Sequence, residues 1–237
     1  MHLTIARRTP SLLRRLRDNR SGVALVEFGF SLPIVLSLGC YGVECANLAM
    51  ANLRVSQIAL NLADNASRVG SMQSDNTSQL REIDINDVLT ASRLQGAPWD
   101  LTNRGRITVS SLEENGGKQY IHWQRCLGTK STSDYTSHYG TTSILSGSQA
   151  GVAFQGTQVA GMGPTTAQVT APPSSGVIFV EINYDYAPVI SSLWIPNGFA
   201  RIRYIASYVV RDKRVFDRVY NPSPAATPYT CDRFTAS

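Results

Sequence analysis

Arg20-Ser21-Gly22-Val23-Ala24-Leu25-Val26-Glu27-Phe28 opens an apolar run that reaches Val43 with a single charge, Glu27, inside it. From Val23 to Val43 there are twenty-one residues. At 1.5 Å per residue a helix of that length spans about 32 Å, enough for the hydrocarbon core of a bilayer. On the amino-terminal side, residues 1–22 hold Arg7, Arg8, Arg14, Arg15, Arg17 and Arg20 against one acid, Asp18. They read as a basic leader to be left out of fold reasoning. Arginines just before an apolar helix hold that end in the cytoplasm, which predicts the C-terminal portion outside.

Glu27 is the anomaly. A charged residue in mid-membrane costs about 2.5–3.5 kcal/mol on insertion scales, so an acid there is a functional hypothesis by default. Cleavage after Gly22 would give Val23 a free ammonium four residues before Glu27, about 6 Å along the helix. At roughly 4 Å and an effective dielectric of about 20 such a pair attracts by about 4 kcal/mol before desolvation. The two magnitudes are comparable, so an amine of the same or a neighbouring chain offsets the insertion of the acid. Pro33 lies mid-span, where it removes a backbone hydrogen bond and predicts a kink. Gly29, Gly39 and Gly42 thin one side of the helix for close approach of another.

These residues carry a resemblance. Gly22 followed by Val23 to Phe28, with Glu27-Phe28 closing the motif, resembles the processing site of type IV prepilin-like proteins. The continuation Phe28-Gly29-Phe30-Ser31-Leu32-Pro33-Ile34-Val35-Leu36, then Gly42-Val43-Glu44, is similar to the TadE-like minor pseudopilins of tight-adherence (type IVc) pilus systems. It covers residues 14–68, and more weakly Gly161 to Pro164, Val169 to Pro173 and Phe179 to Pro188. The resemblance implies a single-pass bacterial inner-membrane precursor with a periplasmic C-terminal domain, a structural component and not an enzyme. Gly22, Val23, Glu27 and Phe28 would form the site cut by a prepilin peptidase. Glu27, Pro33, Gly39, Gly42 and Glu44 would serve helix assembly. The implied partners are that peptidase, other pilins and pseudopilins, inner-membrane pilus assembly proteins and membrane lipid, with no cofactor. The alternative is a secreted or membrane-anchored envelope binding or scaffold protein. It would have an ordinary signal peptide cut at Ala49-Met50-Ala51, or an uncut anchor.

The charge distribution bears on partners. Six of the 22 basic residues and one of the 17 acids lie in the leader, so the remainder is formally neutral. A nucleic-acid-binding domain needs a basic face, so no nucleic-acid partner is expected. Cys40 and Cys45 are five positions apart, about 140° around a helix, and read as small buried residues. Cys126 and Cys231 are the only cysteines of the outer portion, where an oxidising compartment permits a disulfide. Their pairing would tie the tail to the core; two unpaired buried thiols are the alternative.

Organisation follows as leader 1–22, transmembrane helix 23–45, extramembrane continuation 46–70 and an α+β head over 71–237. Leu48, Val55, Leu62 and Val69 repeat every seven residues, a seam for either the protein's own sheet or partner helices. A short helix follows near Asp84 to Leu94, with Asp84 as its cap. Asn115-Gly116-Gly117 predicts a hairpin turn between strands at Arg106 to Leu112 and Lys118 to Leu127. The alternation in these strands implies a sheet with one wet face. Residues 128–176 form a long loop rich in Gly, Ser and Thr. Val177 to Tyr186 and Phe199 to Arg211 are strands, joined through a turn at Ile195-Pro196-Asn197-Gly198. The expected fold is a pilin-like long helix on an antiparallel sheet of about four strands.

Catalytic patterns are sparse. His122 and Cys126 are four apart and could share a strand face, but a metal site needs three or four ligands. No phosphate loop, nucleophile elbow or carboxylate pair emerges, since the proline of Gly161-Met162-Gly163-Pro164 removes a backbone donor. Glu113-Glu114 reads as a solvated pair and Arg211-Asp212-Lys213-Arg214 as a solvent face, with contact to lipid headgroups as its other reading.

Overall fold

Ser21–Arg68 form one helix of 48 residues, α1, which includes Pro33. The computed structural model describes residues 21–142, 156–195 and 199–236. The arginine-rich leader, residues 143–155 of the long loop and most of the Ile195-Pro196-Asn197-Gly198 turn lie outside them. The chain divides into two units, Met1–Ala46 and Asn47–Ser237, to which α1 contributes its first and second halves.

In the second unit α1 packs on an antiparallel sheet, an α+β arrangement. Two short strands, β1 (Ser71–Met72) and β2 (Ser78–Gln79), pair as a ribbon after the helix. Then come α2 (Glu82–Gly96), a 3-10 turn over Ala97–Trp99 and the single-turn α3 (Leu101–Arg104). The main sheet comprises β3 (Gly105–Asn115), β4 (Lys118–Leu127), β5 (Thr157–Val159), β6 (Gly176–Tyr186) and β7 (Ala200–Val209), in the order β5-β4-β3-β6-β7. It therefore has five strands where sequence patterning suggests about four; the addition is the three-residue edge strand β5.

The heptad stripe of α1 faces this sheet. Val55, Ile58, Ala59, Leu62, Ala63 and Ala66 are buried with Ile107, Val109, Trp123, Ile178, Val180 and Ile182 in one core, and Leu48 and Val69 pack at its margin. Burying each Val, Leu or Ile contributes about 1.5–3 kcal/mol, which outweighs any intrinsic propensity in fixing this helix. Ile85, Val88 and Leu89 bring α2 into the same core. Asp84 is its third residue and not its cap. Its carboxylate accepts from the backbone N–H of Arg81 at 3.1 Å and from the Arg81 guanidinium at 2.7 Å, satisfying the helix entry from inside the first turn.

The β3–β4 hairpin closes on Gly116 and Gly117 with φ of 61° and 79°, the left-handed pair that a two-residue turn requires, and Asn115 pairs with Lys118. Farther along, the register shifts between Ser110 and Leu112. The pairing advances by two residues on β3 against three on β4, so a bulge in β4 puts His122 and Cys126 on opposite faces.

The expected wet face is absent. Leu112, Ile121, Val177 and Phe179 form a second core on it with Met162 and Ala171, and Tyr139, Val159 and Val169 pack alongside. The loop segments 128–142 and 156–175 supply this cover, so β3 and β6 are buried along nearly their full length.

Candidate functional site

The first half of α1 has the composition and length to cross a membrane, and none of its most apolar window is buried. Twelve large apolar side chains between Val23 and Val43 are exposed, among them Leu25 at 72% and Phe30 at 75%. An apolar surface of this extent facing water is unstable, so this segment requires lipid or protein around it. Gly22, Gly29, Gly39 and Gly42 have open space where a Cβ would stand. Val23, Glu27 and Phe28 are exposed on the first turns, whereas Glu44 is buried. Pro33 lacks an N–H, so the Gly29 carbonyl loses its regular helical donor. Cys40 is half-buried and Cys45 exposed, both as free thiols. Neither is fully buried, which departs from the reading of both as small buried residues.

The head encloses its charges in local clusters. The Arg125 guanidinium is fully buried and pairs with Glu82 of α2, its Nε donating at 2.9 Å. Glu113 and His122 are buried at 2.7 Å from each other, and the Ser111 hydroxyl donates to Glu113 at 2.5 Å. Burial pushes the Glu113 carboxyl up from its ordinary range, opposed by His122 and Ser111. Glu114 accepts from the backbone N–H groups of Ser174 and Gly117, both at 2.6 Å, and these hold it below the usual carboxylate range. Glu113-Glu114 is thus no solvated pair: the covered hairpin supplies each acid with donors.

Arg214 corrects the reading of residues 211–214 in the same way. It is buried, donating to the carbonyls of Ala66, Ser67 and Val69 at 3.3, 3.1 and 2.9 Å. Arg211 and Lys213 remain exposed.

On the sheet's other face, Tyr135 and Arg201 converge on Asp185, with Arg201 Nε donating at 2.8 Å. Glu181 accepts from the Ser137 hydroxyl and from the His138 N–H at 2.9 Å; burial raises its carboxyl pKa against those two donors. Cys126 and Cys231 form a disulfide across a separation of 105 residues. Beside it Arg106 donates to the carbonyls of Cys231 at 2.6 Å and Gly128 at 3.0 Å, while Phe234 lies under its guanidinium at 4.3 Å. Burial pushes the Arg106 pKa down to about 10, which leaves it charged at neutral pH.

Arg106, Ser137 and the Cys126–Cys231 disulfide line a cavity of about 230 Å³. The void beside Glu113 and His122 is about 10 Å³, at most the space of one water. A larger groove of about 540 Å³ runs past Gln73, Gln79, Arg81, Arg218 and Tyr220. Its two guanidinium groups are paired, Arg81 with Asp84 and Arg218 with Asp217. Among the described residues no group of three His, Cys, Asp or Glu is placed to hold a metal ion. The Glu82–Arg125 pair and the buried role of Arg214 have no local sequence signal, because the acid and the carbonyls these arginines meet lie far away in the chain. No protein-family model, curated protein or solved structure matches this chain.

Proposed function

We propose that this chain is a minor pseudopilin-like structural component of a tight-adherence (type IVc) pilus assembly system. A prepilin peptidase cuts it after Gly22, and its helix spans the bacterial inner membrane with the head in the periplasm. The observation that carries this reading is the bare apolar surface from Val23 to Val43, with Glu27 near its start, on a helix that continues into a folded head. Cleavage makes the ammonium of Val23, which pairs with Glu27 of its own or an adjacent chain, and the helix leaves the bilayer by packing with others.

A signal peptide cut after Ala51 fits less well. Ala51 is buried in the core that α1 forms with the sheet, and Leu48 packs on it, so that cut would strip two of its contributors.

Glu27→Ala tests the assembly role. The variant should enter the membrane in wild-type amount, since it removes a charge from the apolar run, yet give little or no fibre. Fibre formation at the wild-type level would refute the role given to Glu27.

A further inference from the structure

A groove of about 540 Å³ lies where the β1–β2 ribbon meets the chain beyond β7. That volume falls within the roughly 300–1,000 Å³ of small-ligand sites. Its shape has a cause in the pairing. Ser78 bridges Arg214 and Arg81 bridges Tyr220, both in parallel, so three steps along one segment are matched by six along the other. The surplus chain between the two bridges has to bow. Arg218 and Tyr220 line the groove from that side, and Gln73, Gln79 and Arg81 line it from the other.

The polar side chains of the two arginines and of Gln73 are each fixed at one point and open at another. Arg81 donates to Asp84 from Nε at 3.0 Å and from Nη2 at 2.7 Å, which leaves Nη1 without a partner among the described residues. Arg218 donates from Nε to Asp217 at 3.1 Å and stands 5.2 Å over the Tyr220 ring, which leaves both of its Nη groups. Gln73 gives its Nε2 to the Ser71 carbonyl at 3.2 Å and keeps its Oε1. The Gln79 amide has no partner at either end among the described residues. Each guanidinium has a carboxylate of its own, so the groove offers N–H donors without a net positive charge. Val219 and Pro222 add apolar surface between these groups.

We propose that this groove binds a neutral oligosaccharide. Sugar hydroxyls both donate and accept, which matches the free N–H groups of Arg81 and Arg218 and the free amide ends of Gln73 and Gln79. The C–H faces of pyranose rings suit Val219, Pro222 and the Tyr220 ring. A phosphate or other anion gains little, because Asp84 and Asp217 already hold the two guanidinium groups. An extended peptide binds through a main-chain ladder. Here the Tyr220 N–H donates to the Leu80 carbonyl and the Glu82 N–H to the Tyr220 carbonyl, both at 2.8 Å, so those edges are already used. All of these residues belong to the Asn47–Ser237 unit, so the site does not depend on the membrane reading of α1.

Isothermal titration of the full chain with maltotriose, cellotriose and tri-N-acetylchitotriose, in a zwitterionic detergent without a sugar headgroup, tests this. At least one of the three should bind, and inorganic phosphate and tetra-alanine should bind far more weakly. Gln79→Ala should weaken the sugar about ten-fold, the effect of losing one or two hydrogen bonds. Its urea midpoint should match that of the wild type, because the Gln79 side chain has no partner to lose. Silence from all three sugars would overturn the proposal, as would tighter binding of phosphate or of the peptide. Sugar binding that Gln79→Ala leaves unchanged would lie elsewhere on the chain and would also overturn it.

Discussion

Arg214 donates to the main-chain carbonyl of Val69 at 2.9 Å, so a side chain from beyond the last strand closes the C-terminus of the long helix. A helix end leaves several carbonyls without donors, and a cation there meets both the orphan acceptors and the negative end of the dipole. Removing it strands the carbonyls of Ala66 and Ser67 as well. Arg214→Ala should destabilise the protein by about 2–4 kcal/mol, the range for loss of a buried, charged hydrogen-bonding partner. Arg214→Lys should lose less, because it keeps the charge without the fork. Urea unfolding in detergent, followed by circular dichroism, measures both.

The Cys126–Cys231 bond closes a loop of 105 residues. On the chain-entropy account such a loop contributes about 4–5 kcal/mol. Cys231→Ser should cost that order of stability. It should also loosen the tail that gives Arg106 its carbonyl acceptors. Limited proteolysis should then cut within residues 220–235 much faster than in the oxidised wild type.

Glu181 yields a pH prediction with a definite sign. Burial raises its folded pKa above the unfolded value, so the native state binds the extra proton. Its contribution is present below the ordinary glutamate pKa and is lost as pH rises through the folded value, with a slope of up to about 1.4 kcal/mol per pH unit. Glu181→Gln removes the titrating group. The fall in stability above about pH 4.5 should be shallower in the variant, as read from unfolding midpoints at a series of pH values.

Parts of this fold are legible in the sequence for local reasons. Asn115-Gly116-Gly117 marks its hairpin because only that backbone geometry links twisted strands so tightly. The stripe of Val55 and Leu62 marks a buried helix face, although periodicity alone leaves open whether its own sheet or another helix covers it. The covered second face of the sheet is not legible. Thr108, Ser110, Glu181 and Asn183 alternate with apolar residues as a solvated strand face would, yet Glu181 and Asn183 are satisfied by the loop through Ser137, His138 and Tyr135. The bulge in β4 has no glycine to announce it, and it alone separates His122 from Cys126. Segment ends and turns are set by neighbours in sequence, whereas cover and pairing are set by residues far away in it.

The first residue of the mature chain tests the central claim most directly. Amino-terminal sequencing of the protein from its native membrane should give Val23, the residue whose new ammonium lies one helical turn from Glu27. A chain that still starts at Met1, or one that starts at Asn52, would contradict it.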